Sequence, residues 1–127
     1  MRFLIMAAMS LLFSTGAQAQ SSTWWQGAYV PSASTPACDS NDGLIVYEAK
    51  SVTPFKTNCD IVKQVDLRNM LGVLLDIRCS YEDSPDEGYN DRIALLELSN
   101  GNVLSYSRLQ KTYTELRRCP AYTVGDP

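Results

Sequence analysis

Residues 59–79, CDIVKQVDLRNMLGVLLDIRC, are nearly symmetric about Asn69. Folded as an antiparallel hairpin with 68–70 at the turn, the stretch sets Cys59 against Cys79, Ile61 against Ile77, Val65 against Val73 and Leu67 against Leu71. All of these share one face, because strand side chains alternate with period two. On the other face Asp60 meets Arg78, a favourable cross-strand charge pair. Lys63 opposite Leu75 is the one misfit, tolerable at a rim where the lysine stem covers apolar surface and the ammonium stays wet. A register chosen only to pair the cysteines also pairs the hydrophobics, so the stretch reads as two bridged strands.

Working outward, residues 1–19 read as a secretory signal. Arg2 supplies the positive start, Phe3 to Phe13 the apolar run, and Ala17-Gln18-Ala19 a small-x-small cleavage site before Gln20. Eleven mostly apolar residues are too few to span a bilayer, which takes about 20. Cleavage leaves a single domain, residues 20–127, with 10 basic and 14 acidic side chains. No further stretch approaches a membrane span, so the mature chain is expected to be exported, either periplasmic or secreted.

All four cysteines, Cys38, Cys59, Cys79 and Cys119, lie in that domain. An even count in a small exported chain implies disulfides. Zinc would need closely spaced pairs, and the gaps are about twenty residues or more. Of the three possible connectivities the hairpin selects Cys59–Cys79, and Cys38–Cys119 follows by elimination. In the loop-entropy picture these contribute about 3 and about 4.5 kcal/mol, which matters for a domain with so small a core.

The rest of the chain is punctuated like a β-protein. Trp24 to Val30 and Leu44 to Lys50 read as strands, the second with Ile45, Tyr47 and Ala49 on one side. Arg92 to Leu98 and Val103 to Ser107 flank Ser99-Asn100-Gly101-Asn102, whose Asn-Gly suits a type I′ hairpin turn. From 108 onward Leu109, Tyr113 and Leu116 have helical spacing, but a closing strand to Cys119 is the favoured reading. The expected fold is all-β, an antiparallel barrel or sandwich of about seven short strands with two disulfides.

Composition narrows the chemistry. The chain has no histidine, which removes histidine-dependent nucleophilic catalysis and His-ligated metal sites. Its net charge of −3 gives no nucleic-acid footprint. Asp39-Ser40-Asn41-Asp42-Gly43 resembles the start of an EF-hand loop, but the glycine comes one residue early and no helices flank it. The acidic run 82–91 holds Glu82, Asp83, Asp86, Glu87 and Asp91; calcium ligation is conceivable, and a solvated loop shaped by Pro85 and Gly88 is the plainer reading. A glycosidase-type acid pair would need a cleft that short strands barely provide. The tandem Trp24-Trp25 is the candidate binding feature: neighbours on a strand face opposite ways, so Trp25 is expected in the core and Trp24 on a contact surface. No catalytic residue, metal site or cofactor is expected.

Taken together, the leader, W-x-G-x-Y over 25–29, the four cysteines and Tyr113…Arg118-Cys119 resemble a group of small exported, disulfide-bonded bacterial β-domain proteins whose members are largely uncharacterised. A looser likeness is to lipocalin-like periplasmic proteinase inhibitors, although the G-x-W motif of lipocalins is absent and the cysteine pattern differs. The resemblance brings no catalytic residue, and inhibition enters only by analogy with the looser likeness; the expected function is a non-enzymatic binding protein that presents its loops or the Trp24 segment to an envelope or extracellular protein. The alternative is a small-ligand carrier, which requires a barrel-interior pocket of about 300 Å³ or more.

Overall fold

The computed structural model describes residues 22–33, 38, 43–54 and 56–119; the leader and the EF-hand-like stretch 39–42 lie outside the described residues. Eight strands follow one another: β1 (Gly27–Pro31), β2 (Ile45–Tyr47), β3 (Ser51–Thr53), β4 (Thr57–Asp66), β5 (Gly72–Tyr81), β6 (Gly88–Glu97), β7 (Val103–Ser107) and β8 (Thr112–Arg118). Each pairs antiparallel with its neighbour in sequence, and β8 returns to β1 to close a barrel. The all-β class and both bridges, Cys38–Cys119 and Cys59–Cys79, are as expected.

The extra strand comes from the 44–50 run. It stops at Tyr47, and a tight turn closed by Glu48 N–H donating to the Ser51 carbonyl (2.8 Å) returns the chain through Ser51–Thr53. Ala49 therefore sits exposed in a turn and not beside Ile45 and Tyr47. At the other end of the chain, residues 112–118 form the closing strand, with Tyr29 opposite Arg118 and Pro31 opposite Leu116.

The long hairpin keeps the expected register only in its first half. Cys59 opposes Cys79, Asp60 opposes Arg78 and Ile61 opposes Ile77; a bulge between Ile61 and Lys63 then shifts the ladder. Beyond it Gln64 opposes Leu75, Val65 opposes Leu74 and Asp66 opposes Val73, so the expected Val65–Val73 and Leu67–Leu71 pairs do not form. Two residues opposite one reverse the side-chain alternation. The bulge thus turns Val65 outward, where it is exposed, and brings Gln64 to the inner edge. Lys63 loses its misfit and lies opposite Asp76. Asn69 takes the left-handed conformation (φ 62°) in the turn that joins the strands.

That inversion anchors the start of the domain. Ser22 donates its backbone N–H to Asp66 Oδ2 (3.0 Å) and its hydroxyl to Asp66 Oδ1 (2.7 Å). The Ser22 carbonyl accepts from Gln64 Nε2 (3.1 Å) and from the Trp25 indole (2.9 Å). Trp25 is consequently pinned across one end of the barrel.

The inner face is apolar and packed. Val73, Leu75, Ile77 and Cys79 alternate along β5, and Ile93, Leu95, Val103 and Leu116 meet them beneath Trp25, Tyr29 and Tyr47. On the outer side of β1 a second small core gathers Ala28, Val30 and Cys119 with Cys38, Leu44 and Val46. The Cys38–Cys119 bridge holds this layer against the barrel, which explains why three successive residues of β1 are buried. Elsewhere the outer wall carries Asp60, Arg78, Arg92 and Arg117 in exposed positions. An apolar lumen with a charged exterior is the reverse of a membrane-spanning barrel. Among the described residues no helix is long and apolar enough to cross a membrane.

The β6–β7 turn corrects one detail. Gly101 has φ 86°, but Asn100 does not share its positive φ, and Gly101 N–H donates to the Leu98 carbonyl while Leu98 N–H donates to that of Asn102. This is a three-residue loop, a type I turn closed by a left-handed glycine, and not type I′. The Asn100 side chain accepts from Asn102 N–H (3.0 Å), which favours the longer loop.

The hydrogen bonds from Ser22 and Gln64 hold the Asp66 carboxyl below its ordinary pKa of 3.8. A carboxylate depressed in the folded state stabilises fully above its unfolded pKa, and that stability is lost as pH falls through the folded value. Asp66→Asn is expected to lower stability at pH 7 by up to about 1 kcal/mol, the site being solvent-screened. The difference should shrink to nothing as both proteins are melted at pH values stepped below about 4. A penalty that stays constant into acid would show that charge plays no part in the anchor.

Candidate functional site

The tandem tryptophans precede the first strand, in a turn where Gln26 N–H donates to the Thr23 carbonyl (3.0 Å). Strand alternation therefore does not apply to them, yet their environments do differ. Trp25 is wholly buried, edge-on to Tyr47 at 6.3 Å, and its carbonyl accepts from the Tyr29 hydroxyl (2.8 Å). Trp24 is half-buried beneath the Arg118 guanidinium, which lies 5.9 Å from its ring centroid and 5.3 Å from that of Tyr29. Arg118 also donates to the Trp24 carbonyl (2.9 Å). One cation thus ties the first turn to the last strand through a hydrogen bond and two aromatic faces. Burial pushes the Tyr29 and Tyr47 phenols up, so both stay neutral members of this floor.

Above the floor, a hollow of about 190 Å³ opens at the far end of the barrel. Ile45, Val52, Ile77, Ile93 and Leu116 give it apolar walls, while Ser105, Ser107, Thr112 and Thr114 line the β7–β8 side with hydroxyls. Asp91, at its rim, accepts from the Ser107 hydroxyl (2.6 Å), the Leu109 N–H (2.9 Å) and the Arg92 N–H (2.7 Å). This carboxylate locks the β7–β8 turn; it belongs to strand β6 and not to the acidic loop. Among the described residues, no buried polar side-chain atom lacks a partner.

The loop itself is Glu82 to Glu87, with all four remaining carboxylates exposed. Turns closed by Ser84 N–H on the Tyr81 carbonyl and Glu87 N–H on the Ser84 carbonyl shape it. Gly88 ends it because a Cβ there would collide with the Cys79 carbonyl. No group of three potential metal ligands occurs among the described residues. The two carboxyls whose pKa is displaced, Asp66 and Asp76, are both held low, by Ser22 and by Arg92 respectively. That is opposite to what a general acid needs.

Two larger hollows lie on the exterior. One, about 340 Å³, sits under the acidic loop against Asp60 and Arg78. The other, about 490 Å³, crosses β5 and β6 between Val62 and Leu109. Trp24 and Trp25, the binding residues expected from sequence, lie at the floor and line neither hollow nor the interior one. The sequence reading set Asp91 in the acidic run and Arg118 beside the closing bridge, but not their roles, because each acts on a segment distant along the chain.

No protein-family model, no curated protein and no solved structure matches this chain.

The chain has two tryptophans, so their accessibilities can be separated. Iodide should quench Trp24 and leave Trp25 dark to it, giving a Stern–Volmer plot that bends toward a plateau. Arg118→Met should open the floor and straighten the plot. A linear plot for the unaltered protein would mean that both indoles meet solvent.

Proposed function

We propose that this protein is a non-enzymatic binding module that works outside the cytoplasm and recognises its partner with its exterior, the partner being an envelope or extracellular protein. The carrying observation is the filled lumen. Trp25, Tyr29, Leu75, Leu95, Val103 and Leu116 close most of it, and the remaining 190 Å³ is below the 300–1,000 Å³ typical of ligand pockets. Among the described residues, no buried polar side-chain atom in the core lacks a partner. Export accords with two disulfides in so small a domain. An inhibitory role rests on analogy with lipocalin-like inhibitors, whose up-and-down barrels also have eight strands.

The carrier alternative keeps one point in its favour, the four hydroxyls along the β7–β8 wall, and would be confined to a very small polar ligand. The two readings separate in one experiment. The mature protein, residues 20–127, is crosslinked in native envelope and medium beside Thr112→Phe, which plugs the mouth of the hollow. Capture of one stoichiometric protein by both forms is the expected result. Capture by neither, with a small molecule co-purifying only with the unplugged form, would transfer the function to the interior.

A further inference from the structure

The 490 Å³ exterior groove is a built feature. Val62, the unpaired residue at the bulge in β4, is 56% exposed, and Leu109 stands equally exposed on the β7–β8 turn. Between these two apolar shoulders run the outward side chains of β5 and β6, including Asp76, Arg78, Asn90 and Arg92. Arg108 completes the rim. The turn that carries Arg108 and Leu109 is fixed by Asp91, as described, and by Arg108 N–H donating to the Arg92 carbonyl (3.0 Å).

Its charges are unevenly spent. Arg92 is paired with Asp76, at 2.6 and 3.2 Å. The Asp91 carboxylate, which also borders the groove, is taken up by Ser107 and two backbone N–H groups. The guanidiniums of Arg78 and Arg108 make no hydrogen bond or salt bridge among the described residues, although Arg108 lies near enough to Asp76 to help hold its carboxyl low; Asp60, opposite Arg78 in the ladder, forms none with it. Two guanidiniums without a hydrogen-bonded partner therefore border a concavity that Val62 and Leu109 flank with apolar surface, on a chain whose net charge is −3.

We propose that this groove binds an amphiphilic carboxylate, its head group held by Arg78 and Arg108 and its hydrocarbon body laid against Val62 and Leu109. The planar fork of each guanidinium matches a carboxylate. The apolar shoulders gain only if the anion carries a tail, since their exposed surface is what remains to be removed from water. The hollow is within the range of small-ligand sites. The inference rests on the reading that recognition is exterior, and it names the chemistry of one such surface.

Decanoate, below its micellar range, is the probe; it is titrated into the oxidised mature protein and followed by amide chemical shifts. Acetate, decyl maltoside and decyl phosphate are the comparators, and Arg78→Ala with Arg108→Ala the variant. Both arginines are exposed and unpaired, so the doubly substituted protein should keep its fold and its spectrum. Decanoate is expected to shift residues around 62, 78, 92 and 108–109, and the double variant to bind about tenfold more weakly. Acetate and decyl maltoside should also bind at least about tenfold more weakly, lacking tail and charge in turn. Equal binding of decyl maltoside, an unaffected double variant, tighter binding of decyl phosphate, or shifts centred on Ser105 and Thr114 would each overturn the proposal. The interior shifts alone would also count against exterior recognition. Failure of decanoate while both forms still capture a protein partner would remove the groove assignment and leave the exterior reading standing.

Discussion

The carbonyl of Ser22 is where the barrel is made into a vessel with a floor. It accepts two hydrogen bonds at once, from the Trp25 indole and from Gln64, while the other groups of Ser22 hold Asp66. None of this would be possible in an unbroken β4–β5 ladder, because Gln64 would then point outward and Lys63 would face Leu75 in its place. One bulged residue converts a hydrophobic alternation into a polar clasp. The indole it orients then stacks edge-on with Tyr47, which stacks with Tyr29, which returns a hydrogen bond to the Trp25 carbonyl. The ring of interactions closes on itself, and Arg118 fastens it to the final strand.

The same residue shapes the opposite surface. Val62, unpaired at the bulge, becomes one shoulder of the exterior groove, so a single irregularity serves the floor on one side and the groove on the other. This division suits a barrel whose interior is spent on stability. A domain of this size needs its aromatic and aliphatic side chains in the core, leaving chemistry to the faces that solvent reaches.

Much of the architecture was legible because it rests on period-two patterning. Cys59, Ile61, Ile77 and Cys79 announce their own pairing, and the strands around Asn100-Gly101 and before Cys119 follow from alternation and turn residues. What escaped has a common cause. Val62 is chemically indistinguishable from a core valine, so nothing local marks it as the residue to be expelled. β3 is three residues long, too short to display a period. Trp24 lies in a turn, where its surroundings are set by Arg118, more than ninety residues away. The exterior groove draws its arginines from β5, β6 and a turn, and only the closed sheet sets Arg78, Arg92 and Arg108 side by side.

The two bridges are nested, with Cys59–Cys79 lying inside the span of Cys38–Cys119. A chain delivered N-terminus first presents Cys38 to Cys59 before either native partner has emerged. Thiolate exchange is indifferent to correctness, so an oxidant acting during delivery favours a mispaired intermediate. The local β4–β5 hairpin competes by forming in microseconds once Cys79 is out, whereas Cys38 must wait for the last strand to find β1. Of the two bridges, Cys38–Cys119 is therefore the one whose formation depends on early mispairings being undone, because its halves lie 81 residues apart in the chain.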